Sequence, residues 1–206
     1  LEPGELGGTC VNVGCVPKKA MWIASDLADR IALASRLGFD IPPSPRFDWR
    51  GFVADRQRYI HGIHGSYRKR LDEAGIVLLP SRGRLHDAHT VACEDGTRLR
   101  AAHVLLATGA RPRALDVPGG ALAWSSDDFF DLCDPPGRVA MIGGGYIAVE
   151  LAGVLQALGS RVDLFARSER LLSHADDELA VQLAENYRQQ GVHLAFGYRL
   201  AAIERD

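Results

Sequence analysis

Cys10 and Cys15 are separated by four residues in the run GGTCVNVGCVPKK, and two thiols at this spacing can form a redox-active pair. Pro17 suits the first turn of a helix, which predicts that Cys15 lies at a helix N-terminus. Unpaired N–H groups at that end, together with the two lysines that follow, favour a thiolate. Gly14 allows a loop tight enough to bring the two sulfurs within bonding distance.

Three other interpretations of this pair stay open at this point. The two cysteines could bind zinc, although Cys93 and Cys133 are far away in sequence and have no histidine at a ligand spacing. They could form a structural disulfide, which is less expected in a chain without a signal peptide. They could also be buried, unreactive thiols. Cys93 and Cys133 themselves are interpreted as ordinary thiols without a redox role.

Composition narrows the class of protein. The chain has 206 residues, a net charge of −2 and an isoelectric point near 6.4. No basic surface is indicated, so neither nucleic acid nor an anionic membrane is expected as a partner. No apolar run approaches the roughly 20 residues that span a bilayer, and we expect a soluble, cytoplasmic protein. A hydrophobic content of 47% is enough for one large or two modest α/β domains.

Helices dominate the first third of the predicted secondary structure. Helix formers and a following Gly38 predict a helix over residues 18–37, and Gly75 ends a second predicted helix over 49–74, with a proline-rich loop at 41–45 between them. Asp95-Gly96 is typical of a hairpin turn. Short strands are predicted over residues 76–79, 84–86, 90–93 and 98–100, and a buried strand over 103–109.

The second half of the chain has the pattern of a βαβαβ unit. Strands are predicted over residues 138–142, 161–166 and 192–196, and helices over 149–158 and 176–190. The run GGGYIA, at residues 143–148, places a G-x-G-x-x-A turn between the first strand and the first helix. This context is typical of a turn whose following helix binds a dinucleotide pyrophosphate. The alternative is that the glycines serve only tight packing.

The end of the second of these strands indicates which nucleotide is bound. Ala166 and Arg167 stand where NAD-binding units usually have an acidic residue, and an arginine there accommodates a 2′-phosphate. NADP(H) is therefore favoured, although Glu169 lies close by. In the alternative interpretation Arg167 and Arg170 are solvated loop charges.

Three segments together resemble the flavin-dependent pyridine nucleotide disulfide oxidoreductases: GGTCVNVGCVPKK at residues 7–19, ATGARP at 107–112 and GGGYIAVELAG at 143–153. The resemblance implies an α/β fold with Rossmann-like three-layer nucleotide-binding domains. Residues 1–111 would form part of an FAD-binding domain and residues 112–206 part of an NADPH-binding domain. Within the family, the segments VPKK, MW, FDWR, YIH and IHGSY are most similar to glutathione reductases, whereas dihydrolipoamide dehydrogenases and mercuric reductases usually have Ser in place of Lys19.

The resemblance also implies catalytic roles. Cys10 would be the thiol that attacks glutathione disulfide, and Cys15 the thiol that lies against the flavin. Lys18 would stand near the flavin N5 and pair with Glu150. Tyr146 would cover the flavin until nicotinamide displaces it. Tyr59 and Tyr67 would border the disulfide substrate, but aromatic residues at this helical spacing are often core residues instead.

Two sets of cofactor-binding residues follow from the same resemblance. Residues implied for FAD are Glu2, Gly8, Thr9, Cys10, Lys18, Thr108 and Gly109. Residues implied for NADPH are Gly143, Gly144, Gly145, Tyr146, Ile147, Glu150 and Arg167. Glu2 fits the acidic residue that binds the adenosine ribose of FAD. We therefore expect that the first part of the flavin domain lies upstream of this chain, and that the C-terminal domain that forms the homodimer and supplies the general acid and base lies downstream.

One position departs from the family pattern. Glutathione reductases usually have a second arginine six residues after the first, where this chain has Ser173, and Arg170 could take its place. The preference for NADPH over NADH is thus expected to be weaker than usual. Other functions that the sequence leaves open are a mercuric, trypanothione or dihydrolipoamide type of disulfide reductase, or a nucleotide-binding fragment that is catalytically incomplete.

Overall fold

The computed structural model describes residues 1–41 and 47–205. The chain forms two compact units: the first comprises Leu1–Pro17 and Asp55–Arg111, and the second Lys18–Ala54 and Pro112–Asp206. The proline-rich loop predicted at residues 41–45 lies outside the described residues, apart from residue 41. Among the described helices, none combines the length and the apolar composition that a membrane span needs.

Three helices occupy the first part of the chain. α1 covers Gly8–Asn12, α2 covers Cys15–Arg36 and α3 covers Trp49–Glu73. The two long helices were predicted within three residues at each end, whereas α1 was not predicted. α2 stops where Gly38 adopts a φ of 90° and the Phe39 N–H donates to the Ala34 carbonyl at 3.2 Å. Because α2 begins earlier than predicted, Cys15 is its first residue.

The first unit contains a three-stranded antiparallel sheet. Its strands are β1 (Gly83–Asp87), β2 (Thr90–Cys93) and β3 (Arg98–Arg100), in the order β1-β2-β3. The predicted hairpin turn is confirmed, because the Cys93 N–H donates to the Thr97 carbonyl at 2.8 Å and the Asp95 carboxylate accepts from the Thr97 N–H at 2.9 Å. Gly96, with a φ of 86°, supplies the left-handed conformation of this turn.

Two predicted strands of the first unit are wrong: residues 76–79 and 103–109 belong to no strand. The Glu2 N–H donates to the Leu79 carbonyl at 3.1 Å, but the contact does not continue into a ladder. A strand is stable when its backbone groups pair with a neighbour, and within the described residues neither segment has such a neighbour. Leu105 and Leu106 are consequently 89% and 65% exposed.

The second unit confirms the predicted βαβαβ unit. Its parallel sheet has the order β4-β5-β6, formed by Arg138–Ile142, Arg161–Phe165 and His193–Ala195. α5 (Tyr146–Ala157) follows β4, and α6 (Asp177–Gln189) follows β5. β5 is the central strand, so its side chains Val162, Asp163 and Leu164 are buried. The short elements Gly120–Leu122 (a 3-10 turn) and α4 (Ser126–Phe129) were not predicted.

Helices α5 and α6 pack closely at one point. The Tyr187 hydroxyl donates to the Val149 carbonyl at 2.7 Å, and a Cβ atom at Gly153 would lie only 2.7 Å from that hydroxyl oxygen. Burial, with a smaller contribution from the charge of Glu150, raises the pKa of Tyr187 to about 12. Gly153 is therefore required by packing between the two helices.

Candidate functional site

Cys10 lies in α1, and Cys15 is the first residue of α2. Both side chains are exposed, so the interpretation of this pair as buried, unreactive thiols is wrong. The loop between them is tight, since the Val13 N–H donates to the Thr9 carbonyl at 3.0 Å. A Cβ atom at Gly14 would lie 2.6 Å from the same carbonyl oxygen, so the loop closes in this way only with glycine there.

The two thiols interact with each other. A hydrogen bond with Cys15 is the largest cause that raises the pKa of Cys10, and partial burial and the charge of Cys15 add to it. The Cys15 sulfur is thus the partner of the Cys10 thiol in this contact. That sulfur stands at the N-terminus of a 22-residue helix, whose free N–H groups and dipole favour negative charge. The pair can thus exchange between a dithiol and a disulfide.

Two polar residues that the sequence did not single out support this loop. Asn12 lies between the two cysteines in the sequence, and its side chain donates to the Gly8 carbonyl at 2.9 Å. His64, a buried residue of α3, places Nε2 at 2.7 Å from the Asn12 Oδ1. Asn12 could have been noticed for its place within the dithiol run. His64 carries no local signal, because 52 residues separate it from Asn12.

Lys18 and Glu150 form an ion pair within the second unit. The Lys18 Nζ donates to Glu150 Oε1 at 2.8 Å, and the side chains are 25% and 39% exposed. Lys18 lies one helical turn after Cys15 on α2, and Glu150 lies on the second turn of α5. The pairing implied by the resemblance is thus present in the structure, while the place of Lys18 beside a flavin stays a prediction.

The glycine turn sits where β4 ends and α5 begins. The Gly143 N–H donates to the Phe165 carbonyl at 2.9 Å, and Gly145 is the N-cap of α5 with open space beside its Cα. A Cβ atom at Gly144 would approach the Ala166 Cβ to 3.0 Å. The helix starts at Tyr146, three residues earlier than predicted, so its free N–H groups lie at the glycines. This geometry fits a pyrophosphate.

A cleft of about 830 Å³ lies beside the carboxyl ends of β4 and β5. This volume is in the range of sites that bind cofactors and other small molecules. Polar and charged groups line one part of it, and the glycine turn lines another. The lining residues that concern nucleotide binding are Gly143, Gly144, Gly145, Arg167, Ser168, Ser173 and Arg199.

The contacts of Arg170 differ from both interpretations that the sequence left open. Its guanidinium donates to the carbonyls of Ser173 at 2.8 Å and Ala175 at 3.3 Å, and it forms an ion pair with Asp177. These contacts tie the loop after β5 to the start of α6. Arg170 is therefore a loop-stabilising residue, neither a solvated charge nor a free substitute for the arginine that Ser173 replaces.

The aromatic candidates are at the surface. Tyr59 and Tyr67 of α3 are 65% and 38% exposed, so the alternative that they are core residues is wrong. Tyr146 and Ile147 begin α5 and are also exposed. All four side chains are therefore accessible to a ligand.

Apart from Lys18, which lies in the second unit, the residues implied for FAD are spread over two segments of the first unit. Glu2 lies near the start and accepts a hydrogen bond from the Gly4 N–H at 2.9 Å, while Gly8 and Thr9 begin α1. Thr108 and Gly109 are exposed and lie in the segment of residues 103–109, where Gly109 has a φ of 73°. The described hydrogen bonds do not join the two segments. In the described part of the chain, no three His, Cys, Asp or Glu side chains are gathered closely enough to hold a metal ion.

Comparison with known protein families agrees with this geometry. Residues 3–206 match the sequence profile of a family described as "Pyridine nucleotide-disulphide oxidoreductase". The match covers both compact units, including the dithiol and the glycine turn.

Two curated glutathione reductases are similar to this chain in sequence. The chain is 42% identical over 209 aligned residues to a glutathione reductase of Yarrowia lipolytica, an alignment covering 96% of this chain and 44% of that protein. It is 38% identical to a chloroplastic/mitochondrial glutathione reductase of Pisum sativum, with 84% of this chain and 31% of that protein aligned. The chain thus spans less than half the length of either relative.

Solved structures share the fold. The chain superposes on the HOCl-induced flavoprotein disulfide reductase RclA from Escherichia coli with a TM-score of 0.80 at 21% identity, covering 96% of this chain and 42% of that one. A Cu(II) complex of the same protein gives a TM-score of 0.82 at 20% identity, covering 99% of this chain and 44% of that one. At this identity the likeness concerns the fold alone.

Proposed function

The chain belongs to the pyridine nucleotide-disulphide oxidoreductase family, and from this premise we propose that its protein catalyses NADPH-dependent reduction of glutathione disulfide. The observation that carries the proposal is the exposed Cys10–Cys15 pair at the start of α2. The 42% identity to a glutathione reductase over 96% of the chain supports the choice of substrate.

In this proposal the two cysteines have separate tasks. The Cys10 thiolate attacks one sulfur of glutathione disulfide, forms a mixed disulfide and releases the first glutathione thiolate. The Cys15 thiolate then attacks the Cys10 sulfur, which releases the second glutathione and leaves a Cys10–Cys15 disulfide. Two electrons from NADPH restore the dithiol. The exposed Tyr59 and Tyr67 rings would border the glutathione moieties.

FAD would carry electrons between NADPH and the dithiol by accepting a hydride and passing on an electron pair. Among the residues present, Glu2, Gly8, Thr9, Thr108 and Gly109 would contribute to holding it. Lys18 would fix a positive charge near the flavin, and its ion pair with Glu150 restricts where the ammonium can lie.

NADPH would bind in the cleft at the glycine turn. The N-terminus of α5 would bind the pyrophosphate, with Gly143, Gly144 and Gly145 giving close approach. Arg167 would bind the 2′-phosphate. Tyr146 and Ile147 would lie at the nicotinamide end, where both side chains are accessible. We also propose that the complete protein is a homodimer, as the resemblance implies.

The test uses the complete protein, assayed anaerobically for NADPH oxidation with glutathione disulfide, trypanothione disulfide and Hg²⁺ as separate substrates, and for NAD⁺ reduction with dihydrolipoamide. We expect turnover with glutathione disulfide, and loss of it in both Cys10→Ser and Cys15→Ser. We expect Cys10→Ser to keep the absorption band of a thiolate lying against flavin, and Cys15→Ser to lose it. A band that depends on Cys10 would reverse the two roles, and turnover with another substrate alone would contradict the proposal.

A further inference from the structure

The side chain of Asn12 is held at both ends. Nδ2 donates to the Gly8 carbonyl at 2.9 Å and also lies 3.4 Å from the carbonyl oxygens of Glu5 and Leu6. Oδ1 lies 2.7 Å from His64 Nε2. Carbonyl oxygens only accept hydrogen bonds, so they fix the orientation of the amide and leave Oδ1 as the end that faces His64.

His64 reaches this amide from another part of the first unit. It lies on α3 and is only 8% exposed, which is uncommon for a polar residue of that helix. Its Nδ1 lies 3.3 Å from Glu5 Oε2, and the ring of His61 meets it edge-on at a centroid distance of 5.8 Å. Asn12 Oδ1 and the Glu5 carboxylate are both acceptors, so each ring nitrogen of His64 faces an acceptor.

These contacts connect His64 to the segment that carries the two reactive thiols. Gly8, whose carbonyl is bound by Asn12, is the first residue of α1, and Cys10 lies in the same helix. Asn12 is the last residue of α1 and directly precedes the turn to Cys15. Hydrogen bonds between polar side chains held away from solvent fix geometry more strictly than apolar packing does, and here His64 is buried and Asn12 partly buried. The loop that carries the two cysteines is thus contacted from α3 through Asn12.

We propose that His64 is a positioning residue for the dithiol: through Asn12 it fixes the loop between the two cysteines and so maintains the contact of Cys10 with Cys15. The proposal rests on the proposed function in treating the pair as a redox couple. His64 acts here only through Asn12, without direct contact with substrate or cofactor.

The expected consequence follows from the thiol contact. The hydrogen bond with Cys15 raises the pKa of Cys10, so a loosened loop would return Cys10 toward an ordinary exposed thiol. Alkylation requires the thiolate, whose fraction changes about tenfold for each pKa unit while pH is below the pKa. Freeing the loop should therefore make Cys10 more reactive at neutral pH. Loss of a purely apolar contact elsewhere on α3 should not have this effect.

The experiment measures iodoacetamide alkylation of each cysteine in the complete protein, after reduction and under argon, by peptide mass mapping across a pH series. Cys93 is buried in the first unit and reports unfolding, while Cys133 is exposed in the second unit and serves as the reference thiol. The variants are His64→Leu, which removes both contacts, and His64→Gln, whose amide can still donate to Asn12. Gln57→Leu, at an exposed position on the same helix, is the control.

We expect His64→Leu to raise the rate of Cys10 alkylation at pH 7 by about three- to tenfold and to lower its pH midpoint. His64→Gln should restore most of the wild-type profile, and Gln57→Leu should match the wild type. If His64→Leu leaves Cys10 unchanged while Cys93 stays protected, or if His64→Gln behaves like His64→Leu, the proposal is wrong.

Should His64→Leu expose Cys93, Asn12→Ala decides the question, because Asn12 is only partly buried. Faster alkylation of Cys10 with Cys93 protected supports the proposal, and an unchanged rate overturns it. A separate measurement tests the redox role: mild oxidation of the wild type should yield a Cys10–Cys15 disulfide. Its absence would contradict the proposed function, while the alkylation comparison would still decide whether His64 positions the loop.

Discussion

The ammonium of Lys18 and the carboxylate of Glu150 lie 2.8 Å apart although 132 residues separate them in the sequence. The pair joins α2, which starts at Cys15, to α5, which starts at the glycine turn. This half-buried ion pair therefore holds the first turn of α2 against α5 within the second unit.

Lys18→Met should lower the free energy of unfolding by about 1–2 kcal/mol, because a half-buried carboxylate loses a charged hydrogen-bond partner. Urea unfolding of the complete protein measures this, and a double-mutant cycle with Glu150→Gln isolates the pair. The control is Arg30→Met, which breaks an exposed pair with Asp26 and should cost less than about 0.5 kcal/mol. If both variants lower the free energy of unfolding equally, the Lys18 contact stabilises the protein no more than an exposed ion pair does.

Sequence reasoning recovered the elements whose signals are local. Pro17 and Gly38 marked the limits of α2, and Asp95-Gly96 marked the hairpin. The strand predicted over residues 103–109 was wrong because its formation does not depend on local signals alone. An apolar run becomes a strand only beside a pairing partner, which its own residues do not specify. Arg167 was predicted at the end of the second strand of the βαβαβ unit, and its place after β5 makes it part of the cleft lining.

Contacts made by side chains distant in sequence were beyond such reasoning. Nothing near Arg170 indicated that its guanidinium would turn to Asp177 and two loop carbonyls. The contact of His64 with Asn12 likewise depends on how α3 packs in the first unit. These contacts require the three-dimensional structure.

Gly153→Ala should destabilise the protein by about 1–3 kcal/mol, since the added methyl group would overlap the Tyr187 hydroxyl in a packed helix contact. Thermal unfolding measures the change, and adding Tyr187→Phe should recover part of it by removing the oxygen. Gly65→Ala is the matched control, because that glycine lies within α3 with open space beside it. There alanine should stabilise by about 0.5–1 kcal/mol. A loss at Gly65 as large as at Gly153 would contradict this account.

Acid should weaken the second unit through Asp163. Arg138, whose Nε donates to Asp163 Oδ2 at 3.0 Å, is the main cause that lowers the pKa of this carboxyl, with smaller contributions from Arg161 and His193. A carboxylate with a lowered folded-state pKa stabilises the fold above its unfolded pKa, near 3.8, and this stabilisation is lost as the pH falls through the still lower folded value.

We therefore expect the free energy of unfolding of the wild type to fall more steeply below about pH 4 than that of Asp163→Asn. Chemical unfolding at a series of pH values measures both slopes. Asp29→Asn, at an exposed position of α2, should keep the wild-type slope. If Asp163→Asn and the wild type have the same slope, the Arg138 contact does not contribute to acid sensitivity.

Arg167→Ala should reduce kcat/KM of the complete enzyme for NADPH by about 10- to 150-fold, since charge-assisted hydrogen bonds to a phosphate are worth about 1.5–3 kcal/mol. NADH has no 2′-phosphate, so its kcat/KM should stay nearly unchanged. Arg170→Ala is the matched control on the same loop. Because that guanidinium holds the Ser173 and Ala175 carbonyls and Asp177, its loss should change kcat/KM for both nucleotides alike.

Ser173→Arg should sharpen the preference for NADPH, because Ser173 lines the same cleft as Arg167. Steady-state kinetics with each nucleotide measures all three variants. Equal losses with NADPH and NADH in Arg167→Ala would mean that this residue only orders the loop, and NADPH specificity would then need another source.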